Sequence, residues 1–316
     1  MPRLECLRVP SLDPCSFYLS DFSSVLRHCK HNFYADDLQI YLHCAPGDIS
    51  NAIDRINNEI GAIVDWTVDN GLLLNSNKTQ AIIMGTSRYI NTIDLNSTPR
   101  VLVNETPIEY STSVKYLGVL ISNVLSWDRQ VTKISNKVHS ILYQLRLNKQ
   151  LFPEALRVKL VTSLVLPHLD YGSIAFTDMT AEHDRKLYRA VNSCIRFIFN
   201  VKADAHISLF YARLRWLKIG ARRTYFVGCL LYNILNTERP SYLYAEFKNR
   251  VFATERLTRA PGGTLVQPQC RTEIYNRSYK ITAIKLWNSL PSYIKSANSL
   301  EVFKQYLYEH LLRLQV

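Results

Sequence analysis

The chain has 316 residues, 47% of them apolar and 20% charged, with only 10 glycines. This is the composition of one large or two ordinary globular domains, and it argues against disorder and against a β-rich, loop-dominated fold. The net charge of +12 is lopsided: residues 1–125 hold 9 Lys/Arg against 13 Asp/Glu (net −4), and residues 126–316 hold 29 against 13 (net +16).

A basic half of this kind points to an anionic partner. No apolar run nears the roughly 18 residues of a membrane span, and the first residues have no long apolar stretch of the secretory type. The seven cysteines are scattered without a CxxC spacing. That opposes a disulfide framework or zinc finger and implies a reducing compartment, nucleus or cytoplasm; the lack of a long apolar run implies no membrane partner.

In chain order, residues 1–15, with Pro2, Pro10 and Pro14, read as irregular, and 16–28 as a short helix. The run Asn32-Phe33-Tyr34-Ala35-Asp36-Asp37-Leu38-Gln39-Ile40-Tyr41-Leu42 reads as a hairpin, with Asp36 and Asp37 at or beside its turn. Ile49, Ile53, Ile56, Ile60 and Ile63 recur at spacings of 4, 3, 4 and 3, one apolar stripe of a helix with Asp48 as its N-cap. The helix is expected to stop before Asn70-Gly71, where glycine suits a left-handed end. Residues 81–84 read as a strand, 101–103 and 107–110 as a pair, and 114–121 as one strand broken at Gly118.

Beyond Trp127 the pattern turns helical. Val131, Ile134, Val138, Ile141 and Leu145 make one stripe. Further helices are expected at about 153–166, 181–199, 206–217, 220–236 and 275–289. A last one starts near Asn298, with Glu301 three residues on in a capping-box pattern. The arginine-bearing segment 250–272 reads as a linker. The expected architecture is α+β, with a boundary near Ser126 and a division into 1–125, 126–249 and 250–316.

Two adjacent carboxylates at a turn repel each other unless a cation lies between them. Hard divalent ions such as Mg²⁺ take such oxygens, and paired ions serve phosphoryl transfer. Taken alone, such a pair reads as an ordinary surface turn. The flanking string changes this: Phe33-Tyr34-Ala35-Asp36-Asp37 between apolar strands resembles the Phe/Tyr-x-Asp-Asp hairpin of reverse transcriptases.

The resemblance continues in order. Asp65-Trp66 followed by Asn70-Gly71-Leu72-Leu73-Leu74-Asn75-Ser76-Asn77-Lys78-Thr79 is similar to the segment downstream of that hairpin in LINE-type enzymes. Val114-Lys115-Tyr116-Leu117-Gly118-Val119, with Leu125-Ser126-Trp127, resembles their primer-grip segment. Leu166-Pro167-His168-Leu169-Asp170-Tyr171-Gly172 and Leu286-Trp287-Asn288-Ser289-Leu290-Pro291 resemble the helical tail of jockey-like elements. The similarity to non-LTR retrotransposon reverse transcriptases runs from about residue 16 to the C-terminus.

That resemblance implies an RNA-directed DNA polymerase acting on an RNA template and a DNA primer, with a partial palm followed by an all-helical thumb. It makes Asp36 the principal Mg²⁺ ligand and Asp37 its neighbour. It places Tyr34 near the primer terminus, and Lys78 near the triphosphate as a cation and proton donor. Tyr116, Leu117 and Gly118 become a primer grip. The plain alternatives are an exposed loop lysine at 78 and a bulged strand at Gly118.

The family also uses an aspartate on an earlier strand and a Pro-Gln-Gly loop. Here only Glu5, Asp13 and Asp21 precede Asp36 as carboxylates, and Val9-Pro10-Ser11-Leu12-Asp13-Pro14-Cys15 keeps the proline without Gln-Gly. The expectation is a truncated copy without appreciable polymerase activity alone, its sheet edges open unless another chain supplies the missing palm and fingers. In the basic half, Arg213, Arg215, Lys218, Arg222 and Arg223 are the densest cluster and the candidate phosphate-contacting surface. The interleaved aromatics Tyr188, Phe197, Trp216 and Tyr225 read as helix core.

Overall fold

A computed structural model describes residues 3–6, 22–35, 37–247 and 264–315. By internal contacts the chain divides into two compact units, Met1–Gln130 and Val131–Val316. The class is α+β, and among the described residues every strand lies in the first unit.

The first unit is organised by the isoleucine stripe. Helix α1 (Ile49–Asp69) buries Ile53, Ile56, Ile60 and Ile63 completely. It covers a four-stranded sheet of β1 (Arg3–Cys6), β2 (Lys30–Tyr34), β3 (Asp37–His43) and β4 (Ala81–Met84), in the order β2-β3-β1-β4. Leu38, Ile40, Ala81 and Ile83 join the same core from the sheet, and Phe22 closes it with edge-on contacts to Phe33 and Trp66. The helix ends as expected: Asn70 is the C-cap and Gly71 takes φ +68°. Asp48 precedes the first helical residue, but its carboxylate accepts from the Asn51 amide rather than from the backbone.

The remaining strands are β5 (Val101–Val103), β6 (Thr106–Ile108), β7 (Ser113–Tyr116) and β8 (Val119–Ser122), paired as two small antiparallel hairpins. The short α2 (Ser87–Ile90) separates β4 from them. Val101 and Val103 point into the α1 core, and the Asn57 side chain on α1 bonds to both Arg100 O (3.1 Å) and Leu102 N–H (2.9 Å).

The structure departs from the sequence pattern at two segments. Residues 3–6 are not irregular: they form β1, which gives backbone partners to β3 and β4 at once, edges that would otherwise expose unpaired N–H and C=O groups. Pro2 and Pro10 flank this strand and do not interrupt it. Residues 114–121 are not one strand: the chain reverses at Leu117 (φ +44°) and Gly118 (φ +83°), so that Tyr116 pairs with Val119. In the segment expected as a helix at 16–28, residues 16–21 lie outside the described residues, and 22–24 form one turn of 3-10 helix.

The second unit is helical. It begins within α3 (Asp128–Leu147) and continues through α4 (Glu154–Leu164), α5 (Leu166–Asp170), α6 (Ala181–Phe199), α7 (Ser208–Leu214) and α8 (Ile219–Thr237). The short α9 (Ser241–Tyr244) and α10 (Glu273–Asn276) precede α11 (Tyr279–Ser289), α12 (Ser292–Lys295) and α13 (Leu300–Arg313). Helix α6 starts on Thr180, whose side chain accepts from His183 N–H, and stops at Asn200 in the left-handed conformation.

Residues 264–315 do not form a separate third body. Val227, Leu231 and Ile234 of α8, Ile284 and Trp287 of α11, and Phe303 and Leu307 of α13 share one core. The apolar stripes of α11 and α13 need a partner, and α8 is that partner. The contact is close because residue 228 is glycine: a Cβ there would lie 2.6 Å from Leu307 Cδ2. Helix α13 is capped by Ser299, which accepts from Val302 N–H (3.2 Å), one residue beyond the Asn298 start expected. The expected linker at 250–272 lies outside the described residues up to 263.

Candidate functional site

The β2/β3 hairpin closes through two residues. Tyr34 pairs with Asp37, so only two positions separate the paired strands, the tightest connection an antiparallel pair allows. Ala35 takes φ +51°, the left-handed conformation that primed hairpin turns need and that disfavours a side chain. Tyr34 is 62% exposed at the tip, whereas Asp37 is 7% exposed. Asp36 lies outside the described residues.

Lys78 is brought to the same end of the sheet. Cys6 of β1 faces Ile40 of β3 on one side and Ala81 of β4 on the other. Asp37 opens β3 three residues before Ile40, and Lys78 lies in the turn three residues before Ala81, so both lie at that end of the sheet. Lys78 is exposed on a turn whose backbone is held by Asn75: its N–H donates to Asn75 O and Oδ1, and Thr79 Oγ1 donates to Asn75 O (2.9 Å).

Tyr116, Leu117 and Gly118 occupy the tip of the β7/β8 hairpin. The base of that hairpin is tied to the opposite end of β4, where Gly85 N–H donates to Asn123 O (2.9 Å). The first turn of α3 braces it: Arg129 bonds Ser113 Oγ (2.5 Å), and Gln130 Oε1 accepts from Leu120 N–H (3.0 Å). The tip therefore belongs to the same unit as Asp37 and Lys78, but its base does not adjoin them.

One residue that holds the site went unnoticed in the sequence. Glu59, 5% exposed, accepts backbone N–H bonds from Arg27 (3.1 Å), His28 and Cys29 (3.0 Å). This latch fixes the segment leading into β2, and through it the hairpin. A signal was present: Glu59 lies on the helix face of Ile56, Ile60 and Ile63, where a lone carboxylate must have partners. Beside the latch, His31 packs edge-on against Phe22 and Phe33, and burial lowers its pKa below the ordinary 6.5.

Among the described residues, no group of three or more His, Cys, Asp or Glu side chains converges to hold a metal ion. Asp37 offers the hard oxygen donor Mg²⁺ takes, and Asp36 precedes it in the sequence. The donor type fits the ion, but two adjacent carboxylates do not make a complete ligand set.

The five clustered cations of the second unit are not an open patch. Arg222 forms a two-bond pair with Asp170 (Nη2···Oδ2 2.5 Å), with both side chains about a fifth exposed. Arg223 binds Asp184 (2.7 Å) and is 12% exposed. Arg213 pairs with Glu154 (2.5 Å) and lies over the Phe199 ring, and Arg215 pairs with Glu309. Lys218 Nζ donates to Gln315 O (3.1 Å). Arg222 and Arg223 thus clamp α8 to α5 and α6, while Arg213 and Arg215 keep more than half of their surface in solvent.

The interleaved aromatics pack inward. Phe197 and Trp216 are buried, Tyr188 stacks on Tyr211, and Tyr225 packs edge-on against Tyr308. Burial pushes the Cys229 thiol up to about 11 and the Cys194 thiol up to about 12, which leaves both inert near neutral pH. Among the described residues, no helix is long and apolar enough to cross a membrane. No protein-family model matches the chain, and no curated protein matches it significantly.

Proposed function

We propose that the chain is the C-terminal part of a non-LTR retrotransposon reverse transcriptase. In this reading the first unit is a partial palm and the second a thumb and connecting region. The observation that carries it is the ordered set of Tyr34-Ala35-Asp36-Asp37, Lys78 and Tyr116-Leu117-Gly118. Its support from geometry is specific: Tyr34 and Asp37 pair across a two-residue connection, and Lys78 shares that end of the sheet.

In this role Asp36 and Asp37 would hold Mg²⁺, which when bound supplies charge stabilisation for phosphoryl transfer. Lys78 would neutralise phosphate charge, and Tyr34, exposed at the tip, would meet the primer backbone. Among the described residues no third carboxylate joins the pair, so we expect the chain to bind primer–template without extending it.

A second reading, a non-catalytic nucleic-acid-binding protein derived from such an element, is favoured by the +16 charge of residues 126–316. One experiment separates the two. Primer extension on an RNA template with Mg²⁺ is compared between the wild-type chain and the Asp36→Ala/Asp37→Ala variant, with duplex binding followed as salt rises. Extension abolished by the double change establishes a working polymerase. Binding that weakens steeply with salt, with no extension in either protein, leaves a binding relic. Absence of both in low salt refutes the family reading.

A further inference from the structure

We propose that the cleft between α7 and α13 is a docking groove for an acidic amphipathic helix of a partner protein. This inference is independent of the polymerase reading. The cleft encloses about 560 Å³, within the roughly 300–1,000 Å³ of preformed ligand sites. Its base is fixed where the two helices are tied together: Arg215 pairs with Glu309, and the Tyr308 hydroxyl donates to Arg215 O (2.7 Å). Lys218 holds the segment that follows α13 through Gln315 O (3.1 Å). These bonds make the groove a standing feature of the second unit.

The lining determines the occupant. Leu209, Ala212, Trp216 and Leu312 give it an apolar surface, and Leu209 is 77% exposed, an aliphatic side chain left in water on the wall of a concavity. Arg215, Lys218 and Arg313 stand around this surface against a single carboxylate, Glu309, which Arg215 already engages. The field in the groove is therefore positive, and its occupant carries acid groups beside apolar anchors. Leucines at i, i+3 or i+4 with Asp or Glu between them meet both demands, the helix-in-groove mode of recognition.

A nucleic-acid strand fits less well. Stacking needs an exposed aromatic face, and Trp216 is only 8% exposed, with aliphatic groups taking the remaining apolar wall.

The test is panning of a randomised 15-residue peptide library on the full chain. The consensus peptide is then titrated by fluorescence anisotropy against wild-type, Leu209→Glu and Arg313→Glu proteins. Both residues are exposed, and thermal melts matching wild type establish that the variants fold. Enrichment of peptides with Asp/Glu between helically spaced apolar residues is expected, with binding weakened at least tenfold by each change. The proposal is overturned if no acidic class is enriched, or if the consensus peptide binds both variants as it binds wild type. It is equally overturned if a single-stranded oligonucleotide displaces the peptide and itself loses affinity on Leu209→Glu, which would make the groove a nucleic-acid site.

Discussion

Replacing Glu59 by alanine tests the link between α1 and the Asp-Asp hairpin. The carboxylate accepts from three consecutive backbone N–H groups, and its loss removes that acceptor from all three. Arg27 and His28 are exposed, so water replaces the carboxylate there at modest cost; Cys29 is buried and its N–H is orphaned. An orphaned buried donor costs about 1–3 kcal/mol, and hydrogen bonds to a charged group contribute about 1.5–3 kcal/mol each. Allowing for resolvation of the two exposed donors, the sum is about 3 kcal/mol. That is a large share of the ~5–15 kcal/mol that holds a domain together.

Hydrogen exchange read by mass spectrometry localises the effect. Peptides spanning 25–43 should exchange about 100-fold faster in Glu59→Ala, since each 1.4 kcal/mol is about tenfold. Peptides from α8 and α13 should keep wild-type rates. Glu59→Gln retains one acceptor oxygen and should fall between the two. A change below threefold at 25–43, or an equal acceleration in the second unit, refutes the latch.

Two further outcomes follow from the packing. His31 has a folded pKa lowered by burial, so the folded chain binds fewer protons than the unfolded one: the stability it contributes is present above the ordinary 6.5 and lost as pH falls through the folded value. Urea midpoints of the first unit should drop on acidification below 6.5, and His31→Phe should flatten that limb; an unchanged slope refutes the assignment. Gly228→Ala places a Cβ 2.6 Å from the fully buried Leu307 and should cost about 1–3 kcal/mol by overpacking, read as a lower denaturation midpoint. A rise of the kind that Gly→Ala gives in an open helix would show that α8 and α13 do not meet there.

How far the sequence carries depends on how local the signal is. The stripes of α1 and α13 were legible because burial of one face repeats within a few residues, and Ile53, Ile56, Ile60, Phe303 and Leu307 are indeed buried. The Gly71 stop was legible because it needs only one backbone conformation. The fate of the five basic residues was not legible. Arg213, Arg215, Arg222 and Arg223 look like a patch because they are close in sequence, but their carboxylates lie 59, 94, 52 and 39 residues away. Nothing near α8 in the sequence announces Asp170 or Asp184. Strand β1 was hidden for the same reason: four residues between prolines have no periodicity to show, and only the two strands they join define them.

Both hairpin tips of the candidate site share a feature that argues for selection by something other than stability. Two-residue turns of this hand favour Asn-Gly or Asp-Gly, because the central positions take positive φ. Here Ala35 stands at φ +51°, and Leu117 at +44° precedes Gly118. An L side chain in that region costs about 1–2 kcal/mol, and such strain persists where the surroundings enforce it, often at working sites. Glycine at 35 would remove that cost and return about 0.5–1 kcal/mol to the unfolded chain as entropy. The net expectation for Ala35→Gly is a gain of about 0.5–1 kcal/mol, measured as a higher urea midpoint of the first unit; Leu117→Gly should behave alike. If Ala35→Gly is neutral or destabilising, the methyl group makes contacts worth as much as the strain, and the turn needs no functional explanation. If it stabilises the fold yet weakens primer–template binding, alanine is kept at this position for what the tip contacts, and that would tie the strained turn to nucleic acid.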